Sequence, residues 1–324
     1  MGLRVLMDGD WDEHRLQRLK DLLREDVSLS IDPSGGDYQV LVSGRPAPEL
    51  VTAPGLRCLL IPWAGLPGET RRLMMSHRDV SVHNIHHNAA SAAELALGLM
   101  LAAARRIVVA DSHLRRGDWT PRYRQEDSIL VSGSGVLVLG YGHLGEKLGE
   151  ACSALGATVR GIRRSVTRMR MSGSVTLHPP ESLHLLLEDS DIVFLCLPLT
   201  DETRGIMGSA ELSLMHERSI LVNVGRGALV DEEALYRSLA TGSIGAAGID
   251  VWYSYPSSPE ERCSTQPSRY PFSELDNVVM TPHMGGAFGS EMLERSRTVQ
   301  LAESINAFAD KGEMPWKVDL DRGY

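Results

Sequence analysis

The chain has 324 residues, of which 43% are hydrophobic and 23% are charged, so its composition is that of a globular protein and not of a disordered one. Its length favours two domains or one large α/β unit. A formal net charge of −9 and an aromatic content of 5% argue against a protein that coats nucleic acid, stacks bases or binds an anionic membrane.

The order of the residues disfavours a membrane-spanning protein and a secreted protein. The apolar runs are far shorter than the ~20 residues that span a bilayer, and the first residues lack the apolar core of a signal peptide. The cysteines are scattered without CxxC spacing, so no metal site is expected. Scattered cysteines of this kind indicate a reducing compartment, which predicts a cytoplasmic protein.

Residues 1–88 alternate short apolar strands with helical segments. Strands are predicted over 3–9, 38–44 and 56–62, and an amphipathic helix over 12–25. Strands separated by helices are typical of a parallel sheet with helical crossovers. This region is therefore predicted to form an α/β lobe.

A long run of helix-forming residues follows, over 89–117. It is apolar on more than one face, so we expect one nearly continuous helix that is buried between domains or between subunits.

A second series of strands and helices then begins. Six strands are predicted, over 134–140, 157–162, 191–198, 219–225, 245–251 and 277–283. Six strands with intervening helices form a complete doubly wound unit. A last amphipathic helix, over 290–312, is predicted to return to the first lobe.

The segment 140–145 has the pattern GxGxxG, directly after a predicted strand and at the start of a predicted helix. In that context the glycines allow a tight turn, a close approach of backbone to a pyrophosphate, and close packing of helix on strand. The phosphates would face the helix N-terminus. The residues predicted to bind the dinucleotide here are Gly140, Tyr141, Gly142, His143, Leu144 and Gly145.

The end of the next strand should carry an acidic residue if the ribose 2′-hydroxyl of NAD is bound there. No Asp or Glu occurs between Glu150 and Glu181, and the strand end reads Arg163-Arg164-Ser165. Guanidinium groups bind phosphate bidentately, so this segment favours NADP(H) over NAD(H). The alternative is a solvated basic loop.

Three later strands end in residues that suit catalysis. Arg226 lies between two glycines, Asp250 ends the following strand, and His283 lies between a proline and two glycines. Ligands of open α/β sheets bind outside the carboxyl ends of the strands. An arginine that holds a carboxylate and a histidine that exchanges a proton indicate a hydride-transfer site for a hydroxy acid.

These motifs, in their order along the chain, resemble those of the D-isomer-specific 2-hydroxyacid dehydrogenases, and in particular of glyoxylate/hydroxypyruvate reductases. The resemblance covers essentially the whole chain. It rests on the segments ASAAELALGLMLAAARR, GYGHLG, DIVFLCLPLTDETRGIM, NVGRGALVDEEAL, GAAGIDVW and TPHMGG.

The resemblance implies an α/β fold of two Rossmann-like lobes with doubly wound parallel sheets. The nucleotide lobe, residues 89–288, would be inserted into a flavodoxin-like substrate lobe formed by residues 1–88 and 289–324. Members of the family usually dimerise through the nucleotide lobe, so a homodimer is expected.

The resemblance also implies a role for each matching residue. Arg226 would hold the substrate carboxylate and polarise the keto oxygen, and His283 would donate or accept the proton. The loop of Trp63, Ala64 and Gly65 would bind the carboxylate of a small 2-keto or 2-hydroxy acid through backbone N–H groups. The residues expected around the nicotinamide half of the cofactor are Leu197, Pro198, Thr203, Val224, Asp250 and Gly285.

One position departs from the family pattern. The usual third catalytic residue is a glutamate five positions after the strand-end aspartate, and here Tyr255 occupies that position. A carboxylate beside a histidine shifts its pKa by roughly 1–3 units in favour of imidazolium. A tyrosine hydroxyl could orient the ring by a hydrogen bond but carries no charge at neutral pH. Slower reduction, or reduction shifted to lower pH, is therefore expected.

Three interpretations of Tyr255 stay open at this point. The protein is a working reductase with an altered pH profile, in which Glu260 or Glu261 assists. It is a formate-dehydrogenase-like enzyme, which needs no proton transfer. Or it is a non-catalytic, cofactor-sensing protein that binds the dinucleotide.

The long polar loop over 253–272 is either a lid or a surface loop. Trp63 and Trp252 either shape the substrate pocket or pack in the core. His86 and His87 resemble ordinary exposed residues.

Overall fold

A computed structural model describes residues 2–124, 128–287 and 289–324. The chain divides into two compact units, which we call the first unit (residues 1–88 and 287–324) and the second unit (residues 89–286). Phe288, the last residue of the predicted nucleotide lobe, lies outside the described residues.

The first unit contains a parallel sheet in the order β2-β1-β3-β4-β5, which is the flavodoxin-like order. Its N-terminal elements are β1 (Leu3–Met7), α1 (Glu13–Lys20), β2 (Val27–Ser30), β3 (Val40–Val42), β4 (Cys58–Ile61), α2 (Gly68–Met74) and β5 (Ser81–Asn84). The three predicted strands and the flavodoxin-like fold are confirmed.

The predicted helix over 12–25 is shorter in the structure, and two strands are additional. Asp12 caps α1 by accepting a hydrogen bond from the backbone N–H of Arg15, and the helix ends at Lys20. Tight turns then lead into β2, with the N–H of Leu23 donating to the carbonyl of Lys20. The additional strands, β2 and β5, are the two edges of the sheet, and their short, partly polar sequences give only a weak apolar pattern.

The second unit contains an eight-stranded sheet in the order β13-β12-β11-β10-β6-β7-β9-β8, parallel except for β8. Its strands are β6 (Gly135–Leu139), β7 (Thr158–Ile162), β8 (Arg170–Ser172), β9 (Val175–His178), β10 (Ile192–Leu195), β11 (Ile220–Asn223), β12 (Ala246–Ile249) and β13 (Val278–Met280). Its helices are α3 (Ala89–Ala104), α4 (Ile107–Leu114), α5 (His143–Ala154), α6 (Leu183–Glu188), α7 (Ser209–Leu214) and α8 (Glu232–Ala240). The six predicted strands are confirmed, and the pair β8–β9 is additional.

The prediction of one continuous helix over 89–117 is wrong. Arg106 adopts a left-handed conformation, with φ of 50°, and separates α3 from α4. α3 packs on the sheet of its own unit, where a Cβ at Gly248 of β12 would lie 2.8 Å from the Cβ of Leu99. The absence of a side chain at Gly248 allows this close approach of helix to sheet.

The last helix, α9 (Glu291–Lys311), packs on the sheet of the first unit, as the sequence predicts. Leu301, Ile305 and Phe308 join Val5 and Leu19 in one buried cluster. α9 ends at Gly312, which has a φ of 69° and therefore suits a left-handed helix cap. Within the part of the chain that the structure describes, no helix is long and apolar enough to cross a bilayer.

Candidate active site

The glycine-rich loop joins β6 to α5, and two of its glycines are required by contacts. Gly140 has a φ of 95°, and a Cβ there would lie 2.9 Å from the backbone of Cys196 and Leu197. A Cβ at Gly145 would lie 2.5 Å from the carbonyl oxygen of Gly140. Larger residues would therefore force the loop away from the neighbouring strand ends.

The middle glycine of the loop has a different environment. A Cβ at Gly142 would meet no atom within 4 Å, so this position faces open space. α5 begins directly afterwards, at His143, and the first N–H groups of a helix attract anions. The loop thus offers a cradle at a helix N-terminus, beside His143 and the partly buried Leu144.

Tyr141 differs from the other predicted residues of the loop because its side chain belongs to the core. The ring is 3% exposed. Cβ atoms built at Gly149 and Gly161 would lie 2.8 and 2.6 Å from it. Both glycines therefore make room for the ring, and only the backbone of Tyr141 faces the cradle.

The basic segment after β7 lies beside this loop. The backbone N–H groups of Gly140 and Tyr141 both donate to the carbonyl of Ile162, the last residue of β7. Arg163 follows directly, and Arg163, Arg164 and Ser165 are all exposed. Three residues of the predicted basic patch thus border the cradle.

The arginine at the centre of β7 has a separate role. The guanidinium of Arg160 donates to the backbone carbonyl and the carboxylate of Asp189, over 2.8 and 3.3 Å. Arg160 therefore braces the start of β10, and it does not add to the exposed basic segment.

An acidic residue reaches the basic segment from the helix. Glu146 lies in the first turn of α5, and its Oε1 is 3.4 Å from Nη1 of Arg163. This carboxylate is not predicted from the sequence, because it precedes β7 in the chain, whereas the acid of an NAD-binding fold is expected at the end of that strand. The single available signal was the position of Glu146 directly after the third glycine of the motif.

Arg226 follows β11 in a tightly held loop. Asn223, 2% exposed, donates from Nδ2 to the carbonyl of Arg226 and accepts at Oδ1 from the N–H of Gly225. A Cβ at Gly227 would lie 2.3 Å from the carbonyl oxygen of Trp252. The loop is fixed on both sides, and it leaves the side chain of Arg226 exposed. Asn223 is a positioning residue that the sequence analysis missed.

Asp250 ends β12 and is 1% exposed. Its Oδ1 accepts hydrogen bonds from the hydroxyl of Thr281 and the N–H of Met284, over 2.7 and 2.6 Å. Its Oδ2 accepts from the N–H of Gly285 over 2.9 Å. The carboxylate thus holds both sides of His283, whose φ of 58° is left-handed.

The rings of Tyr255 and His283 lie together, with their centroids 5.6 Å apart and their planes at 56°. The Tyr255 hydroxyl accepts a hydrogen bond from the N–H of Trp252 over 3.0 Å. Across residues 2–124, 128–287 and 289–324, the structure shows no hydrogen bond to a ring nitrogen of His283. The tyrosine therefore contacts the imidazole through its ring, and the hydrogen bond considered in the sequence analysis is not formed.

The environment of His283 disfavours its protonated form. Burial lowers the pKa of His283 below its usual value, the positive charge of Arg226 lowers it further, and Asp250 raises it. Burial likewise raises the pKa of the Tyr255 hydroxyl, which is neutral at physiological pH.

The remaining residues predicted around the nicotinamide lie at the carboxyl ends of β10 and β11. Thr203 donates from its hydroxyl to the carbonyl of Pro198 over 2.7 Å, which closes the loop after β10. The N–H of Val224 donates to the carbonyl of Leu195. Leu197, Pro198, Thr203 and Val224 are all partly exposed.

The predicted carboxylate-binding loop belongs to the first unit. It follows β4, and the carbonyl of Ala64 accepts a hydrogen bond from Nδ2 of Asn84 over 2.6 Å. Trp63 packs against Gly44, where a Cβ would lie 1.8 Å from the indole. Gly65 is partly exposed.

The expectation that His86 and His87 are ordinary exposed residues is wrong. His87 is 5% exposed, and its Nδ1 is buried without a hydrogen-bond partner among the described residues. Its Nε2 lies 3.4 Å from Nε of Arg297 on α9. His86 packs edge-on against Trp316. These contacts with α9 and with Trp316 explain why the two side chains are not exposed.

The polar loop over 253–272 is folded on its own side chains. Glu261 accepts hydrogen bonds from the N–H and hydroxyl of Ser257, over 2.8 and 2.7 Å. Glu232 of α8 accepts from the hydroxyl of Ser268. Trp252, which precedes the loop, is 6% exposed and donates to the carbonyl of Thr281, so it packs in the core.

The strand order and the glycine-rich loop define a protein of the two-domain Rossmann class. Residues 97–285 match the family model described as D-isomer specific 2-hydroxyacid dehydrogenase, NAD binding domain, and the chain belongs to this family.

Individual relatives agree with this assignment. Glyoxylate reductase of Aeropyrum pernix is 38% identical over 229 residues, which cover 69% of this chain and 64% of that protein. Hydroxypyruvate reductase of Thermotoga maritima is 33% identical over 220 residues, which cover 67% of this chain and 66% of that protein. The matches thus span less than two thirds of either relative.

One solved structure resembles the chain over its full length. The D-isomer specific 2-hydroxyacid dehydrogenase from Xanthobacter autotrophicus Py2, in complex with NADPH and MES, has a TM-score of 0.78 and an identity of 26%. The likeness covers 100% of this chain and 99% of that one.

Proposed function

We propose that the chain is a nicotinamide-dependent oxidoreductase that interconverts a small 2-keto acid and its D-2-hydroxy acid. The observation that carries this proposal is the arrangement of Arg226 and His283. Arg226 follows β11 and His283 follows β13, the two strands on either side of β12, and their loops are held rigidly by Asn223 and Asp250.

The glycine-rich loop fits a dinucleotide. Gly142 faces open space at the N-terminus of α5, which suits the close approach of a pyrophosphate. The backbone of residues 140–145 would hold the pyrophosphate, and the loops containing Pro198, Thr203 and Val224 would border the nicotinamide. The cofactor, when bound, supplies or takes up a hydride.

Within this proposal the preferred cofactor is NADP(H). The exposed side chains of Arg163, Arg164 and Ser165 border the cradle, and guanidinium groups suit a 2′-phosphate. The relative from Xanthobacter autotrophicus Py2 was solved in complex with NADPH, which supports this choice.

Arg226 and His283 would share the chemistry of the substrate. The guanidinium of Arg226 would pair with the substrate carboxylate and polarise the keto oxygen. His283 would give a proton to that oxygen in reduction and take it back in oxidation. The lowered pKa of His283 leaves little imidazolium at neutral pH, so reduction should be fastest at acidic pH.

A second candidate function is a cofactor-sensing protein without turnover. It is favoured by one observation, the contact of Tyr255 with His283 where the family usually has a glutamate. A formate-dehydrogenase-like activity is a weaker alternative, since it would leave His283 without a proton to transfer.

The proposal extends to a cytoplasmic homodimer. Several apolar side chains of α3 and α4 are exposed, including those of Leu101, Ile107, Val108 and Leu114, and a second copy would cover them. The four free cysteines support a reducing compartment. Light scattering on purified protein tests the dimer.

One experiment separates the enzyme from the cofactor sensor. NADPH is mixed with glyoxylate, hydroxypyruvate, pyruvate or phenylpyruvate between pH 5.5 and 8, and the absorbance at 340 nm is followed. Turnover that disappears in His283→Ala supports the enzyme. Tight NADPH binding without turnover on any of these acids supports the sensor.

A further inference from the structure

The exposed basic segment after β7 lies beside a carboxylate of opposite charge. Arg163 is the first residue after the strand, and its guanidinium lies 3.4 Å from the carboxylate of Glu146. The two side chains are 43% and 47% exposed, so neither is buried away from a ligand. An acid therefore does lie at the end of β7, but it comes from α5.

Backbone hydrogen bonds fix the positions of Arg163 and Glu146. Ile162, which precedes Arg163, accepts two hydrogen bonds from the glycine-rich loop. The N–H of Glu146 donates to the carbonyl of Gly142 over 2.8 Å, which starts the first turn of α5. The pair is consequently attached to the same loop that the proposed function assigns to the pyrophosphate.

NADP(H) and NAD(H) differ only at the 2′ position of one ribose. Arg163 would be a partner for the 2′-phosphate of NADP(H), and Glu146 for the 2′-hydroxyl of NAD(H). A 2′-phosphate carries a charge of about −1.5 to −2 near neutral pH, so it is attracted by Arg163 and repelled by Glu146. A 2′-hydroxyl carries no charge and can donate a hydrogen bond to a carboxylate, as it does to the usual acid of NAD-binding folds.

We infer that Glu146 is a specificity-determining residue that limits the preference for NADP(H) and permits the use of NAD(H). This inference rests on the proposed function. Glu146 acts in two ways: it neutralises part of the charge of Arg163, and it offers the ribose hydroxyl an acceptor.

The test measures binding of NADPH and NADH to the full chain by titration calorimetry. Glu146→Gln removes the charge and keeps the shape of the side chain. Exposed ion pairs contribute little to stability, so the variant should fold normally. Its affinity for NADPH should rise roughly 3- to 10-fold while that for NADH falls or stays constant.

Two matched variants show whether the effect passes through the pair. Glu150→Gln removes an exposed charge one turn further along α5 and should leave the ratio of the two dissociation constants within about twofold. In an Arg163→Ala background, the gain in NADPH affinity from Glu146→Gln should shrink. An unchanged ratio in Glu146→Gln, or an equal change in Glu150→Gln, overturns the inference.

The same variants distinguish a failure of this inference from a failure of the proposed cofactor preference. If Arg163→Ala weakens NADPH far more than NADH but Glu146→Gln changes neither, only the role of Glu146 is wrong. If Arg163→Ala weakens both equally, the proposed NADP(H) preference is wrong as well.

Discussion

The ring of Tyr255 lies against the imidazole of His283, and its hydroxyl is engaged by the backbone N–H of Trp252. The tyrosine thus replaces a charge by a ring contact. It fixes the position of the imidazole without stabilising its protonated form.

Tyr255→Glu should raise keto-acid reduction at neutral pH. A carboxylate beside His283 would raise the pKa of the imidazole by roughly 1–3 units and increase the fraction that carries a proton. The profile of kcat/KM against pH should keep its high-activity plateau to a higher pH than in the parent protein. Tyr255→Phe is the control, since it removes the hydroxyl and adds no charge. The idea fails if Tyr255→Glu leaves the alkaline limb where it was.

Asp250→Asn should loosen the loop that carries His283. An asparagine amide would place a donor against either the N–H of Gly285 or the donors of Thr281 and Met284, so at least one buried hydrogen bond is lost. We expect a loss of about 1–3 kcal/mol in the free energy of unfolding and a fall in kcat. Urea denaturation and steady-state kinetics measure the two effects.

Thr281→Val is the matched control for that variant, because it removes one of the three hydrogen bonds and leaves the carboxylate in place. A loss in Thr281→Val as large as that in Asp250→Asn would argue against the central position of Asp250.

The stability of the protein should fall between pH 6.5 and pH 4 because of His87. Burial lowers the pKa of His87 from 6.5 to about 4, and the positive charge of Arg297 contributes. The unfolded chain therefore binds a proton that the folded chain excludes, so the free energy of unfolding decreases as the pH falls through this range. When the pH is low enough for His87 to be protonated in both the folded and the unfolded state, the free energy of unfolding has decreased by about 3 kcal/mol because of this residue.

His87→Gln should flatten this part of the stability profile, since glutamine does not titrate. His14→Gln, the same substitution at an exposed position on α1, serves as the control. Equal slopes for the parent and His87→Gln in urea denaturation series at pH 4, 5, 6 and 7 would contradict the prediction.

Gly161→Ala should destabilise the second unit. The added Cβ would lie 2.6 Å from the ring of Tyr141 and 2.9 Å from Leu177, and overpacking of a core costs about 1–3 kcal/mol. Thermal denaturation measures the change. Gly98→Ala is the control, because a Cβ there meets no atom within 4 Å and alanine favours the helix by about 0.5–1 kcal/mol. A Gly161→Ala protein as stable as its parent would show that the ring can move aside.

The sequence predicts the six strands of the second unit because each lies in an apolar run, and four of them, β6, β10, β11 and β12, are almost wholly buried. β8 and β9 escape prediction since β8 is three exposed or partly exposed residues at the sheet edge. The break at Arg106 is also not predicted, because the β-branched Ile107 and Val108 that follow it lower the helix propensity only slightly, and tertiary packing sets the backbone there.

The residues of the candidate site likewise include some that the sequence predicts and some that it does not. Arg226 and His283 are predictable since each comes three residues after a strand, Arg226 between two glycines and His283 after a proline and shortly before two glycines. Asn223 and Glu146 are not, because their roles depend on groups brought to them by the fold: the backbone of the Arg226 loop in one case and the end of β7 in the other.

The antiparallel strand β8 has a consequence for self-association. It closes one side of the eight-stranded sheet with three residues, the first of which is the exposed Arg170. A strand this short, with a charge on it, is a poor template for another chain, whereas the edge of β9 would expose a parallel strand with apolar side chains. β8 thus terminates the sheet, and its deletion alone should expose the edge of β9 and make the protein prone to fibrillar aggregation.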